Sequence, residues 1–183
     1  YSPTVGKLSG SGTVTSRVSG TATLTVNCGG YESSTFPGVI EDGSGTVALA
    51  KTGSNNLYLT GANTYSGGTT ISSGTLYVGS GGSSGTLGTG AVVNNAALVF
   101  YRSGTTTVAN AISGSGTLTQ TLGTLVLTGG NTYTGTTTIA PWSWESATIQ
   151  VGNGGTTGTL GSGTVTSSGD YESCAQLVYK RSD

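Results

Sequence analysis

The chain repeats itself, and this limits its fold more than any other feature. The run Leu59-Thr60-Gly61-Ala62-Asn63-Thr64-Tyr65-Ser66-Gly67-Gly68-Thr69-Thr70-Ile71 returns as Leu127-Thr128-Gly129-Gly130-Asn131-Thr132-Tyr133-Thr134-Gly135-Thr136-Thr137-Thr138-Ile139, 68 residues further on. A second block, Val78 to Gly88, matches Val151 to Gly161 at an offset of 73. A third, Leu98-Val99-Phe100-Tyr101-Arg102-Ser103, matches Leu177-Val178-Tyr179-Lys180-Arg181-Ser182 at an offset of 79. The offset grows because extra residues enter at 140–146 and again at 168–173. Insertions that fall between matching segments behave like loops thrown off a rigid array. Similar units of this kind bury their apolar faces by stacking on one another.

The units themselves read as short strands. Runs such as Thr75-Leu76-Tyr77-Val78 and Thr124-Leu125-Val126-Leu127 alternate polar and apolar residues and end at Gly, Asn or Ser. Alternation sends the apolar side chains to one face and Thr or Tyr to the other. No stretch shows a helical period, so little or no helix is expected. Glycine supplies 34 of the 183 residues. Placed between strands, it allows the tight corners of a coil. The expectation is an all-β, right-handed parallel β-solenoid, a single domain over residues 1–183. Repeat units cover about 40–111 and 112–183, and residues 1–39 are only weakly repeat-like. At roughly 20–25 residues per turn the coil would make about seven or eight turns.

The segments 59–71 and 127–139, the Gly-Thr-Leu-Gly steps at 85–88 and 158–161, and Ile112-Ser113-Gly114-Ser115-Gly116-Thr117-Leu118 together resemble the autotransporter-associated β-strand repeat. The resemblance covers residues 40–183 and reaches Leu8-Ser9-Gly10-Ser11-Gly12-Thr13-Val14 more weakly. It implies an extracellular, right-handed β-helix of the kind found in bacterial passenger domains and in other large surface and phage-associated proteins. It brings no catalytic residues with it.

Residue types absent from the chain narrow the chemistry. There is no histidine, and the 7 acidic residues are scattered. Glu41 and Asp42 are adjacent, so on a strand they would point to opposite faces and could not converge across one glycosidic bond. They read as solvated turn residues. No catalytic residue, cofactor or metal is expected. With 6 basic residues and a net charge of −1 there is no electrostatic footprint for nucleic acid. No apolar run is long enough for a membrane helix. Methionine is missing, so Tyr1 is not a translation start and a processed, exported product is expected.

Three features invite contact with something else. An aromatic-Glu-Ser triplet occurs at Tyr31-Glu32-Ser33, Trp144-Glu145-Ser146 and Tyr171-Glu172-Ser173, each in a segment that departs from the repeat. With Trp142, these are expected to protrude together as contact loops. The plainer reading is that the aromatic covers a glycine corner; a protein contact or a glycan platform are the alternatives. The ends form the second feature. No capping segment is evident, and Tyr1, Val5 and Leu8 could receive Leu177, Val178 and Tyr179 of another copy. Stacking of that kind does not close and gives filaments. The cysteines are the third. Cys28 and Cys174 are 146 residues apart, too far along a coil for the ~7 Å that a disulfide spans, so an intermolecular bridge across such a junction is expected instead. The first reading is therefore an extracellular, non-enzymatic structural protein that polymerises head to tail. The alternative is a fragment of an autotransporter or adhesin passenger that contacts host or neighbouring cells. A polysaccharide-active or ice-binding solenoid comes third, the latter through outward Thr ladders.

Overall fold

Parallel pairing runs through the whole computed structural model, which describes residues 2–30, 32–169 and 173–182. Its strands are, in chain order, β1 (Thr4–Val5), β2 (Thr13–Val14), β3 (Thr21–Asn27), β4 (Ser34–Phe36), β5 (Val39–Ile40), β6 (Thr46–Thr52), β7 (Asn56–Leu59) and β8 (Thr69–Ile71). They continue as β9 (Thr75–Val78), β10 (Val92–Asn94), β11 (Ala97–Val108), β12 (Ile112–Ser113), β13 (Thr117–Leu127), β14 (Thr137–Ile139), β15 (Ser146–Val151), β16 (Val165–Ser167) and β17 (Cys174–Tyr179). Among the described residues there is no helix.

Each turn visits three faces. The first is the sheet β1-β3-β6-β8-β10-β12. The second is the ladder β4-β7-β9-β11-β13-β14-β16. The long strands β11 and β13 bend at Phe100–Thr105 and carry the sheet onto a third face, where β13 also pairs with β15 and β15 with β17. Along the second face Thr35, Tyr58, Tyr77, Val99, Thr119, Thr138 and Thr166 stand side by side, one per turn. The solenoid therefore makes about six turns along this ladder. The ladder runs from Thr35 to Thr166, so its turns average about 22 residues, with hydrogen-bonded neighbours on successive turns 19 residues apart at one place and 28 at another.

Stacking makes columns. Leu57, Leu76, Leu98 and Leu118 lie one above another inside the second face and are fully buried. The neighbouring column runs Phe36, Leu59, Val78, Phe100, Gln120, Ile139. Burial of each such side chain is worth about 1.5–3 kcal/mol. The register is fixed for the same reason, since a slip of one residue would turn every column outward. One column contains a charge. Lys51 stands between Val26 and Ile71 and is fully buried. Its ammonium donates to the carbonyls of Thr52, Gly53 and Ser73 at 2.8, 2.8 and 3.0 Å, one for each of its protons. Removal from water holds its pKa below the usual lysine value.

The repeated motif is a staple between turns. Asn63 is buried, and its Oδ1 accepts from the N–H of Ile40 on the turn below at 2.9 Å. Its Nδ2 donates to Gly61 in its own turn at 3.2 Å and to Thr86 on the turn above at 2.8 Å. Asn131 repeats the arrangement with Ile112 below and Thr159 above, at 2.9 and 2.6 Å. Two residues on, Tyr65 and Tyr133 are fully buried, and their hydroxyls meet Thr69 and Thr137 at 2.7 Å. Each pair satisfies two polar groups that would otherwise be stranded in an apolar column. The glycine of each Thr-Leu-Gly step lies over the tyrosine below it. A Cβ on Gly88 would come 2.1 Å from the Tyr65 carbonyl oxygen, and one on Gly161 would come 2.3 Å from that of Tyr133.

The two copies do not sit on the same face. Thr69–Ile71 is β8 of the first face, whereas the matching Thr137–Ile139 is β14 of the second. The 68-residue offset thus corresponds to three turns and one face more, so the same staple works at a different corner.

Candidate functional site

The acidic residues are placed first by their partners. Asp42 does not dangle in solvent as a turn residue. Its carboxylate accepts from the Val47 N–H at 2.7 Å and from the N–H and hydroxyl of Ser66, the latter at 2.5 Å. The Ser66 hydroxyl bond, followed by the Val47 amide, holds its pKa below 3.8. Glu32 pairs with Lys7 at 2.5 Å, and the bond to the lysine followed by its charge lowers the Glu32 pKa. Among the described residues no three His, Cys, Asp or Glu side chains gather as metal ligands would.

One corner brings unusual residues together. It lies where the second face turns into the third, and on successive turns it is built from 101–104, then 121–123, then 140–145. The middle turn has Gly123 there, where added side-chain bulk would meet the Gly104 carbonyl at 2.4 Å. Over this low step Trp142 reaches from the upper turn and stacks on Tyr101 two turns below, ring centres 5.3 Å apart and planes 19° from parallel. Trp142 remains 60% exposed. Trp144 is 78% exposed and has φ 70°, the single non-glycine residue with positive φ among the described residues. For a bulky residue that backbone state costs about 1–2 kcal/mol. The Glu145 N–H donates to the Trp142 carbonyl at 2.9 Å, closing the turn. Tyr101, Thr121, Leu122, Trp142 and Glu145 line a cleft of about 50 Å³ between them.

Of the residues expected to protrude together, the structure places Glu32 apart from Trp144 and Glu145. Glu32 lies before β4 at the start of the second face, beside Lys7; Trp144 and Glu145 lie five turns away, at the corner ahead of β15. Tyr31, Tyr171 and Glu172 lie outside the described residues, as does Tyr1. Ser173 precedes Cys174, whose N–H donates to the Glu145 carbonyl at 3.2 Å. Tyr101 had no marking in the sequence as a site residue. Its partner is 41 residues away, and only the register of β11 with β13 brings the two together.

The remaining expected residues fall as follows. Both cysteines are free; Cys174 is exposed, but Cys28 is buried in the core. A bridge to a second chain would require Cys28 to leave that core. Of the stacking residues, Leu8 is buried and Val5 is partly buried against the core. Leu177 and Tyr179 continue the inward columns of Ile149 and Val151 yet are 38% and 63% exposed, while Val178 points the other way and is half-buried. The outward threonines form no unbroken ladder. On the first face the column reads Thr25, Ala50, Thr70, Val93, Ser113, and on the second it is interrupted by the stacked pair Tyr58 and Tyr77, 4.4 Å apart.

Parallel columns, inter-turn asparagine staples and loops confined to corners define a β-solenoid repeat protein with an aromatic corner. Its repeat is of a known kind. Residues 49–78 and 122–140 match the family model of the Passenger-associated-transport-repeat, a repeat of the passenger type that the sequence resembles. A stretch of 56 residues is 54% identical to the adhesin BmaC autotransporter of Brucella suis biovar 1 (strain 1330). The match takes in 31% of this chain and 2% of that adhesin. No solved structure matches the chain.

Proposed function

We propose that this chain is a segment of a surface-exposed autotransporter passenger, a non-enzymatic shaft that holds adhesive loops away from the bacterial surface and against host or neighbouring cells. The observation that carries this reading is the 54% identity over 56 residues to an adhesin passenger. The fold suits the role. A shaft in which each turn is pinned to the next by buried side-chain bonds resists bending, and its corners accept inserts such as 140–145 without disturbing the inner columns. The self-assembling filament draws no support from the comparisons, which favour the adhesin instead.

Adhesion is measurable with the chain alone. Fluorescent beads coated with the folded protein should be retained by epithelial or bacterial cell layers well above albumin-coated beads. Equal retention of the two kinds of bead on both layers would overturn the proposal.

A further inference from the structure

We infer that the corner formed by Tyr101, Trp142, Trp144 and Glu145 is a binding site for a neutral carbohydrate, an inference that names the ligand class for the adhesive role proposed above. Sugars present one face of C–H groups and a rim of hydroxyls, so a protein recognises them with an exposed aromatic plane and nearby hydrogen-bond acceptors. This corner has both. Trp142 is braced from behind by Tyr101 and leaves its other side open, at 60% exposure. Trp144, next to it but one, is 78% exposed, on a backbone turn held at positive φ. Beside them Glu145 and Thr121 line a cleft of about 50 Å³, room for a hydroxyl or hydroxymethyl group rather than a whole ring.

Charge selects among sugars. Glu145 would repel sialic or sulfated residues. Arg102, the neighbour of Tyr101, gives its guanidinium to the Ser83 and Gly85 carbonyls, each at 2.5 Å. A neutral hexose or N-acetylhexosamine chain meets neither difficulty. A protein partner is less well served. Stable protein interfaces bury about 800 Å² on each side around an apolar centre. The exposed large apolar residues of this corner are its two indoles, with Ser143 between them.

These two tryptophans are the whole tryptophan content of the chain, so tryptophan emission, excited selectively over tyrosine, reports on this corner alone. The folded chain is titrated with the β-1,4-linked hexasaccharides of glucose and of N-acetylglucosamine and with an α-1,6-linked mannose hexasaccharide. A saturable change in emission is expected with at least one of them. Glu145→Gln should weaken that binding about 3- to 10-fold, and Trp142→Ala by about 10-fold or more, as read by calorimetry. Both side chains lie on the surface, so thermal melting should be nearly unchanged. Absence of any response at 10-millimolar sugar (about the weakest affinity worth the name), or a response that survives Trp142→Ala unaltered, would overturn the site. Bead adhesion keeps the two proposals apart. Adhesion without sugar binding leaves the adhesin reading standing and sinks this one, with a protein as the partner; sugar binding without adhesion does the reverse.

Discussion

Replacing Asn63 or Asn131 with leucine tests the staple directly. Leucine keeps most of the volume but can neither accept from Ile40 or Ile112 nor donate to Thr86 or Thr159. The Ile40 N–H lies among fully buried neighbours and has no other acceptor within its turn. A buried amide left without a partner costs about 1–3 kcal/mol. Of the two acceptors that lose a donor, Thr86 above is only part-buried while Gly61 within the turn is buried, and together they add about 1 kcal/mol. Asn63→Leu should therefore lower stability by about 2–4 kcal/mol, a large share of the ~5–15 kcal/mol that holds a domain together. Asn131 has the same buried bond below it and donates to Thr159 above, so Asn131→Leu should cost a similar or slightly smaller amount. Urea unfolding followed by far-UV circular dichroism measures both. The sites are three turns apart and share no partner, so the double variant should lose the sum within about 0.5 kcal/mol. A loss under about 1 kcal/mol for both single variants would refute the claim that the motif's asparagine pins successive turns.

Two further outcomes follow from the tyrosine beneath each Thr-Leu-Gly step. Gly88→Ala and Gly161→Ala should each destabilise the protein by about 1–3 kcal/mol through overpacking, because the new carbon meets the backbone of the tyrosine below; Gly130→Ala, with open space around it, should change the urea midpoint little. Alkaline stability is the other. Burial raises the pKa of Tyr65 and Tyr133 above 10.0, so above pH 10 the unfolded chain loses protons that the folded one keeps. Stability contributed by the neutral hydroxyls is complete below pH 10 and is lost as pH rises through the folded pKa, at about 1.4 kcal/mol per pH unit for Tyr65. Lys51, with a lowered pKa, acts in the opposite sense below 10.5. Thermal melts from pH 9 to 12 should therefore turn downward above pH 10, and a flat profile there would contradict the burial of these hydroxyls.

Much of this could be read from the chain because solenoid packing is local. The alternation in Thr75-Leu76-Tyr77-Val78 fixes which side chains enter the column, and stacking then repeats the choice on every turn. The insert expected at 140–146 was recognisable as a loop for the same reason, although its last residue, Ser146, already opens β15. What escaped is what depends on register between turns. Asp42 looks like a turn residue, and only the next turn shows that Ser66 comes to its carboxylate. Lys51 did leave a signal. In Val47-Ala48-Leu49-Ala50-Lys51 it falls on the inward parity with Val47 and Leu49, but a lysine on that parity argues against burial until three carbonyls are found at its tip. The shared letters of the aromatic triplets say nothing about position. Glu32 and Glu145 sit at different corners near opposite ends of the coil.

The displaced face of the second repeat bears on how such a protein acquires a site. If the staple required one particular corner, the motif could recur only after whole turns. It recurs after three turns and a further face, and there it makes the same bonds to Ile112 and Thr159 that Asn63 makes to Ile40 and Thr86. The corners are therefore chemically interchangeable for the shaft, since the staple needs only a strand end below and a carbonyl above. An insert is constrained differently. It must leave the chain between two columns and return in register, as 140–145 does between Ile139 and Ala147. The direction in which an aromatic loop faces is thus set by which corner the insert happens to occupy, while the columns beneath remain the same. Changes that alter what this protein contacts can accumulate at 140–145 without being opposed by the packing that keeps the coil wound.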